Sequence, residues 1–314
     1  MKLFVTGGAG FIGSNFIRLA LSFHKGYSVV NFDKLTYAGN LGNLTGMSGN
    51  PNHIFVKGDI CDAVAVESAM AGCDAVVHFA AESHVDRSIA QPADAIQTNV
   101  TGTLVLLQAT RELQIQRFVH ISSDEVYGDI PAGSFSDENF PLLPSSPYSA
   151  SKAAADLLVL SFVRTYGFPA LITRCSNNYG PRQFMEKFLP LMIARALADT
   201  PLPIYGDGLQ QRNWLHVEDN CRAILAVLQC GRLGHVYNIG GDDVKDNLTM
   251  ARDLLKIIRK PESLISHVAD RPGHDRRYAL NSGKIRGELG WNPLIRLEEG
   301  LRQTVQWYCE NVAG

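Results

Sequence analysis

Residues Thr6–Gly13 read TGGAGFIG, between a short apolar run and an amphipathic one. Leu3–Thr6 predicts a buried strand and Phe11–Phe23 a helix, so Gly7, Gly10 and Gly13 fall in a strand-to-helix turn. Glycines there let the backbone turn tightly and approach a pyrophosphate, whose charge rests on the helix N-terminus. Phe11 and Ile12 open that helix. The spacing is GxxGxxG, not GxGxxG. Asp33 closes the next strand, Tyr27–Asp33, twenty residues after Gly13. A carboxylate in that position accepts from adenosine ribose hydroxyls. An acid there favours NAD over NADP, with Lys34 beside it pulling the other way.

The pattern outward from the turn keeps alternating. Strands at Ile54–Val56, Ala75–Phe79, Phe118–Ser122 and Ala170–Arg174 are separated by helical stretches near 63–71, 93–113 and 148–166. This predicts βαβ units and an α/β fold with a Rossmann-type, doubly wound parallel sheet. Asp59 and Ile60, in the GDI after the third strand, lie where an adenine rests. From about Asn177 the texture changes to short strands among proline, glycine and polar clusters (NNYGPRQF, PLPIYGDG, DRPGHD). Residues 1–176 are therefore expected to form a dinucleotide-binding domain to which some later segments return. Residues 177–314 are expected to form mainly a smaller, mixed α/β substrate-binding lobe.

Composition narrows the partners. A chain of 314 residues, 46% hydrophobic, has ample core for this architecture. A net charge of −2 gives no electrostatic case for nucleic acid or an anionic membrane. No apolar run approaches the roughly 18–20 residues that span a bilayer. The opening MKLFVTGGAGFIG is broken too early by glycines for a secretory signal. Six scattered cysteines without a CxxC pair predict reduced thiols, a cytoplasmic protein and no metal site.

Two further stretches carry chemistry. SPYSASK places Tyr148 and Lys152 four apart at a helix start, hence on one face. A phenol near pKa 10 is a poor base at neutral pH; a neighbouring ammonium and a positive nicotinamide ring would both favour its phenolate. SSDEVYG ends a buried strand with Asp124 and Glu125 side by side. In a regular strand these would point to opposite faces. The backbone is therefore expected to leave β geometry here so that both carboxylates reach one substrate. Adjacent like charges push two pKa values apart, which suits an acid–base pair.

TGGAGFIG, the strand-end serines and YxxxK resemble the extended short-chain dehydrogenase/reductase superfamily. DKLTYAGN, HFAAESHVDRSI, SSDEVYG, SPYSASK, CSNNYGP, YGDG, NIGG and DRPGHDRRYA narrow the resemblance to nucleotide-sugar 4,6-dehydratases of the dTDP-glucose type. It runs from Lys2 to about Tyr308. Ser123 stands where that family usually has Thr, and Arg212–Asn213–Trp214 with Asn220 replaces its RDW…DH pattern.

The resemblance implies a catalytic set of Ser123, Asp124, Glu125, Tyr148 and Lys152. Tyr148 would take the proton from O4 of the sugar, Glu125 the one from C5, and Asp124 would protonate the departing C6 hydroxyl, with Ser123 orienting O4. It also implies cofactor contacts from Thr36, Ala80, Ala81, Asn99, Ser122 and Asn178. Ser83, Asn177, Lys187, Tyr205, Arg212, Asn247, Arg271, His274 and Asp275 would bind the nucleotide-diphosphate sugar. A homodimer joined by a four-helix bundle is expected on the same ground. The alternatives are a UDP-glucose 4,6-dehydratase, a nucleotide-sugar 4-epimerase or decarboxylase, and a non-enzymatic NAD-binding sensor or scaffold. The Asp–Glu pair disfavours epimerisation and decarboxylation, and retention of all four reactive groups disfavours a sensor.

Overall fold

A computed structural model describes residues 1–23, 26–47 and 49–311. Its main sheet takes β1 (Lys2–Thr6), β2 (Ser28–Asp33), β3 (His53–Lys57), β4 (Ala75–His78), β5 (Phe118–Ser123) and β6 (Ala170–Cys175) from residues 2–175. The intervening helices are α1 (Phe11–Phe23), α2 (Ala63–Met70), α3 (Val85–Ala90), α4 (Pro92–Ile96), α5 (Thr103–Glu112) and α6 (Pro147–Tyr166). The second half contributes β7 (Asn177–Tyr179), α7 (Phe188–Leu197), β8 (Leu202–Tyr205), β9 (Gln211–His216), α8 (Val217–Cys230) and β10 (Val236–Ile239). It ends with β11 (Asp243–Asp246), α9 (Asn247–Ile258), β12 (Ile265–Val268), α10 (Gly283–Leu289) and α11 (Leu297–Asn311).

The seven strands lie in the order β10-β6-β5-β4-β1-β2-β3, every pair parallel. Parallel strands need a crossover between neighbours, so helices cover both faces and the strands are buried on both sides. Apolar cores fill each face: Leu3, Val5, Phe16 and Ile17 pack with Val227 and Leu228 of α8 on one, and Phe4, Phe32 and Phe118 with Leu106 and Phe162 on the other. The seventh strand, β10, arrives from the second half of the chain and pairs with β6. A three-stranded sheet (β11-β9-β7) and a two-stranded one (β12-β8) build the smaller lobe, with its own core around Met192, Leu202 and Leu254.

The expected long helix over 93–113 is interrupted. Gln97–Gly102 is a π-helical segment between α4 and α5. Such a segment inserts an extra residue into the helix, and here Asn99 is turned into the interior. Its amide donates to Glu82 O at 3.0 Å and to Ser151 Oγ at 2.8 Å, and Glu82 N donates to its Oδ1 at 2.9 Å. The inward-facing residues across the interruption are Asn99, Gly102 and Thr103, so no apolar period marks it.

Candidate active site

All seven strands deliver their C-terminal ends to one edge, and strand order reverses between β1 and β4. In an open α/β sheet the crevice at that reversal is where a ligand binds. A cleft of about 1530 Å³, counting its open mouth, lies there. Gly7, Gly10, Phe11, Ile12 and Gly13 form one wall of it. Gly7 has φ +69°, and a Cβ on it would stand 2.6 Å from Ala80 N. A Cβ on Gly13 would stand 2.3 Å from Gly7 O. Only glycine permits backbone contact this close. Asp33 is buried on the same cleft, accepting from Ala9 N at 2.9 Å and Leu35 N at 2.8 Å. Those bonds aim its carboxylate and leave further lone pairs for hydroxyl donors. Lys34 pairs with Asp59 at 2.7 Å, so its cation is already neutralised and offers little to an added phosphate. Thr36, Asp59, Ile60, Ala80, Ala81 and Ser122 complete this half of the wall.

At the end of β5 the chain leaves the strand as expected. Asp124–Tyr127 is a single 3₁₀ turn, with Ser123 Oγ accepting from Glu125 N at 3.2 Å. Both carboxylate residues thereby line the cleft. Asp124 is 3% exposed, and its Oδ2 has no partner among the described residues. Burial, and then the neighbouring Glu125, push its carboxyl up to about 8. Burial raises Glu125 above its ordinary value as well, with Arg271, Lys187 and Arg212 opposing that rise. One carboxyl is thus held protonated while the other faces three cations.

Opposite stands α6. Ser146 caps it in a reciprocal box, accepting from Ser149 N at 3.1 Å while Ser149 Oγ takes the Ser146 N–H at 3.0 Å. Pro147 occupies the first turn, where its missing N–H costs nothing. Tyr148 N donates to Ser88 Oγ at 3.0 Å, and Lys152 Nζ donates to Ile121 O at 2.7 Å. Burial, with Glu125 and other negative charge nearby, holds the Tyr148 phenol well above its ordinary value. Burial brings Lys152 down to about 8, so it remains largely charged at neutral pH. The protein by itself therefore keeps Tyr148 neutral, while Lys152, one turn along the same helix face, stays charged and donates to a backbone carbonyl.

Ser83, Asn177, Asn178 and Lys187 also reach the cleft, and Lys187 Nζ donates to Ser83 O at 2.6 Å. Other expected residues stand behind or beside the wall. Asn99 is buried a layer back, holding the loop that carries Glu82 and the Ser151 hydroxyl. Arg212 is buried, donates to Asp275 O at 3.0 Å, and acts electrostatically on both carboxyls. Asp275 takes Ser145 and Tyr278 hydroxyls, each at 2.6 Å. Arg271 lies 3.6 Å from Asp86, and Tyr205 donates to the same Asp86 at 3.4 Å. His274 sits 2.6 Å from Asp270, and Asn247 opens α9.

Sequence reasoning did not single out Glu82, Thr98, Cys175, Ser176, Gln183 or Phe184, all of which face the cleft. Cys175 and Ser176 could have been found by register, since Cys175 ends β6 opposite Ser123 at the end of β5, and Ser176 follows it. Glu82, Gln183 and Phe184 depend on how loops fold back and Thr98 on the π-helical segment, and no local pattern marks them.

The wall suits a dinucleotide beside a polyhydroxylated substrate. Buried Ser122 Oγ, Ser176 Oγ, Asn177 Oδ1 and Asn178 Oδ1 lack partners among the described residues, as does Asp124 Oδ2. Buried polar atoms need a partner, and hydroxyls, carboxamide oxygens and a carboxyl match sugar hydroxyls and a nicotinamide carboxamide. No group of three or more His, Cys, Asp or Glu among the described residues could hold a metal ion.

Known proteins resemble this chain over nearly its whole length. A dTDP-glucose 4,6-dehydratase of Xanthomonas campestris is 51% identical over 98% of this chain and 93% of its own. One from Streptomyces niveus is 50% identical over 100% of this chain and 94% of its own. The solved structure of a Streptomyces venezuelae dTDP-glucose 4,6-dehydratase, with NAD bound, superposes with TM-score 0.98 at 48% identity, covering 100% of this chain and 98% of that one. A Thermus thermophilus UDP-glucose 4-epimerase in complex with NAD follows at TM-score 0.91 and 30% identity, covering 99% and 100%. The family model described as GDP-mannose 4,6 dehydratase matches residues 4–304. With the glycine turn, the acid pair and YxxxK on one cleft of that fold, the chain belongs to the GDP-mannose 4,6 dehydratase family.

Proposed function

We propose that this chain is an NAD-dependent hydro-lyase that converts dTDP-glucose to dTDP-4-keto-6-deoxyglucose and water. The observation that carries the reading is the turn at the end of β5. It sets a protonated Asp124 and a cation-flanked Glu125 on the same cleft as Tyr148 and Lys152. Simple oxidation or epimerisation needs no such pair.

The cofactor would lie on the Gly7–Gly13 turn, with Asp33 on its adenosine ribose and Lys152 and Asn178 towards its nicotinamide end. Bound NAD would supply a hydride acceptor for C4 in its oxidised form, the hydride donor for C6 once so reduced, and, while oxidised, a positive charge beside the phenol. Tyr148, as the phenolate that this charge and the Lys152 ammonium would favour, removes the O4 proton, and Ser123 orients that oxygen. The new C4 carbonyl acidifies the hydrogen on C5, and Glu125 takes it as a base. Asp124, held neutral by burial, gives its proton to the C6 hydroxyl, which leaves as water. Glu125 then returns a proton to C5. Arg212, Arg271 and Lys187 would face the substrate pyrophosphate, for which guanidinium forks are suited. Ser83, Asn177, Tyr205, Asn247, His274 and Asp275 would set the sugar and base.

On this reading, residues 1–176 with later returning segments bind NAD, and residues 177–314 mainly bind the nucleotide sugar. We further propose a cytoplasmic homodimer that pairs α4–α5 and α6 in a four-helix bundle. Ile96, Leu113, Leu157 and Tyr166 are exposed on or beside those helices, which supports a covered face there. No helix among the described residues is long and apolar enough to cross a membrane.

The test is to incubate purified protein with dTDP-glucose and UDP-glucose separately and follow loss of water by mass spectrometry. Dehydration of dTDP-glucose supports the proposal; preference for UDP-glucose, or unchanged sugar with both, refutes it.

A further inference from the structure

Lys152 is not alone in the interior. One turn further along α6, Asp156 is fully buried, at 0% exposure. Residues four apart share a helix face, so this carboxylate stands beside the Lys152 stem. Its Oδ2 accepts from Arg174 Nε of β6 at 2.8 Å, and its Oδ1 lies 3.5 Å from His120 Nε2 of β5. Arg174 Nη1 donates onward to Tyr127 OH at 2.8 Å and stacks over that ring at 4.9 Å. Tyr127 OH donates to Asn238 Oδ1 of β10 at 2.8 Å. Tyr127 is the last residue of the turn that carries Asp124 and Glu125. A continuous buried chain of contacts therefore joins the helix bearing Tyr148 and Lys152 to the turn bearing the acid pair.

We propose that Asp156 is a positioning residue for the reaction: its carboxylate keeps Lys152 in the ammonium form and, through Arg174 and Tyr127, fixes α6 against the Asp124–Glu125 turn. The inference rests on the dehydratase reading of the cleft. An isolated ammonium in a dry interior loses its proton. Burial does lower Lys152, and Asp156 is the largest influence opposing that fall. The remaining neighbours cannot replace it. From β4 and β5, His78 and His120 are held far below their ordinary value by burial and by Lys152 itself, so both are neutral. From β6, Cys175 is pushed up to about 12 and is an uncharged thiol, while Arg174 is itself a cation. On α6, Tyr148 is a neutral phenol, and the α3 and π-helical flank presents the uncharged Ser88 and Asn99. Past the end of β5, Asp124 is protonated and Glu125 is shared among Arg271, Lys187 and Arg212.

The measurement is a ¹³Cε-lysine NMR titration of the full chain, with Lys152→Arg identifying the resonance. Asp156→Asn should move the Lys152 midpoint down by about one pH unit or more, and Asp156→Glu should restore it. Arg174→Gln leaves the Asp156 carboxylate without its partner and should move the midpoint up, which keeps the question answerable if Asp156→Asn does not fold. An unmoved midpoint in the folded variants overturns the inference. The alkaline limb of substrate oxidation, read as enzyme-bound NADH, should follow the NMR midpoint downward in Asp156→Asn. If the midpoint moves and the limb does not, Asp156 still sets the charge of Lys152, and the proposed use of that charge in the reaction falls instead.

Discussion

Replacing Asp124 by Asn separates what the residue does for catalysis from what it costs the fold. Asparagine matches the shape of a protonated carboxyl but cannot ionise. In the folded protein the Asp124 carboxyl is raised from 3.8 to about 8. In the unfolded chain it ionises normally, so between these values the unfolded state binds fewer protons than the folded one. Stability attributable to Asp124 is then greatest at acid pH and falls as pH rises towards about 8. Each pH unit is worth about 1.4 kcal/mol, so raising pH from about 5 to about 7 should cost the wild type about 3 kcal/mol that the variant is spared. Coupling to Glu125 spreads part of this over both groups, and about 2 kcal/mol is a reasonable lower expectation. The assay is urea unfolding of both proteins at pH 5, 6, 7 and 8, comparing the difference in unfolding free energy across pH. Asp124→Asn should gain on the wild type steadily over that range, while its loss of water slows by about 10² to 10⁴ and oxidation of the sugar persists. Parallel stability curves would show that Asp124 is not held protonated, and the acid assigned to the C6 hydroxyl would have to be sought elsewhere.

Tyr148→Phe removes the base for O4, so a stopped absorbance scan at the NADH band should find no bound NADH after substrate is added; a normal NADH transient would remove Tyr148 from that role. Glu125→Gln should still form NADH but leave C5 unexchanged in deuterated water, with dehydration slowed by about 10² or more, and wild-type exchange at C5 would sink the assignment. Gly13→Ala would drive a Cβ to 2.3 Å from Gly7 O. We therefore expect the purified variant to lose NAD on gel filtration and to need added NAD for turnover; full retention of cofactor would mean the turn can relax without penalty.

Much of the fold and half of the site can be read directly along the chain, because they depend on neighbours in sequence. Gly7, Gly10 and Gly13 must follow β1 for the backbone to reach Ala80. Asp33 ends β2, Asp124 and Glu125 directly follow β5, and the Ser146 box starts α6 just before Tyr148. Strand ends of a parallel sheet share one edge, so these groups converge on the cleft once the alternation is recognised. The departure from β geometry at Asp124 follows from the same logic, since a strand cannot point two consecutive side chains the same way.

Other features depend on contacts between distant segments. The π segment at Gln97–Gly102 exists because Asn99 reaches the Glu82 loop and Ser151, which no local pattern announces. β10 joins the main sheet beside β6 although more than sixty residues separate them, a pairing decided by which edge was left open. The charge states were equally hidden. Sequence chemistry expected the Lys152 ammonium and a nicotinamide cation together to favour a phenolate at Tyr148; it did not show that burial in the protein alone raises that phenol, or that Lys152 also donates to Ile121 O. Local sequence determined where the glycine turn, Asp33, the acid pair and the Tyr148–Lys152 pair stand, through turns, caps and strand ends. Burial and the charges brought in from remote elements decided their protonation, because desolvation acts through space and not along the chain.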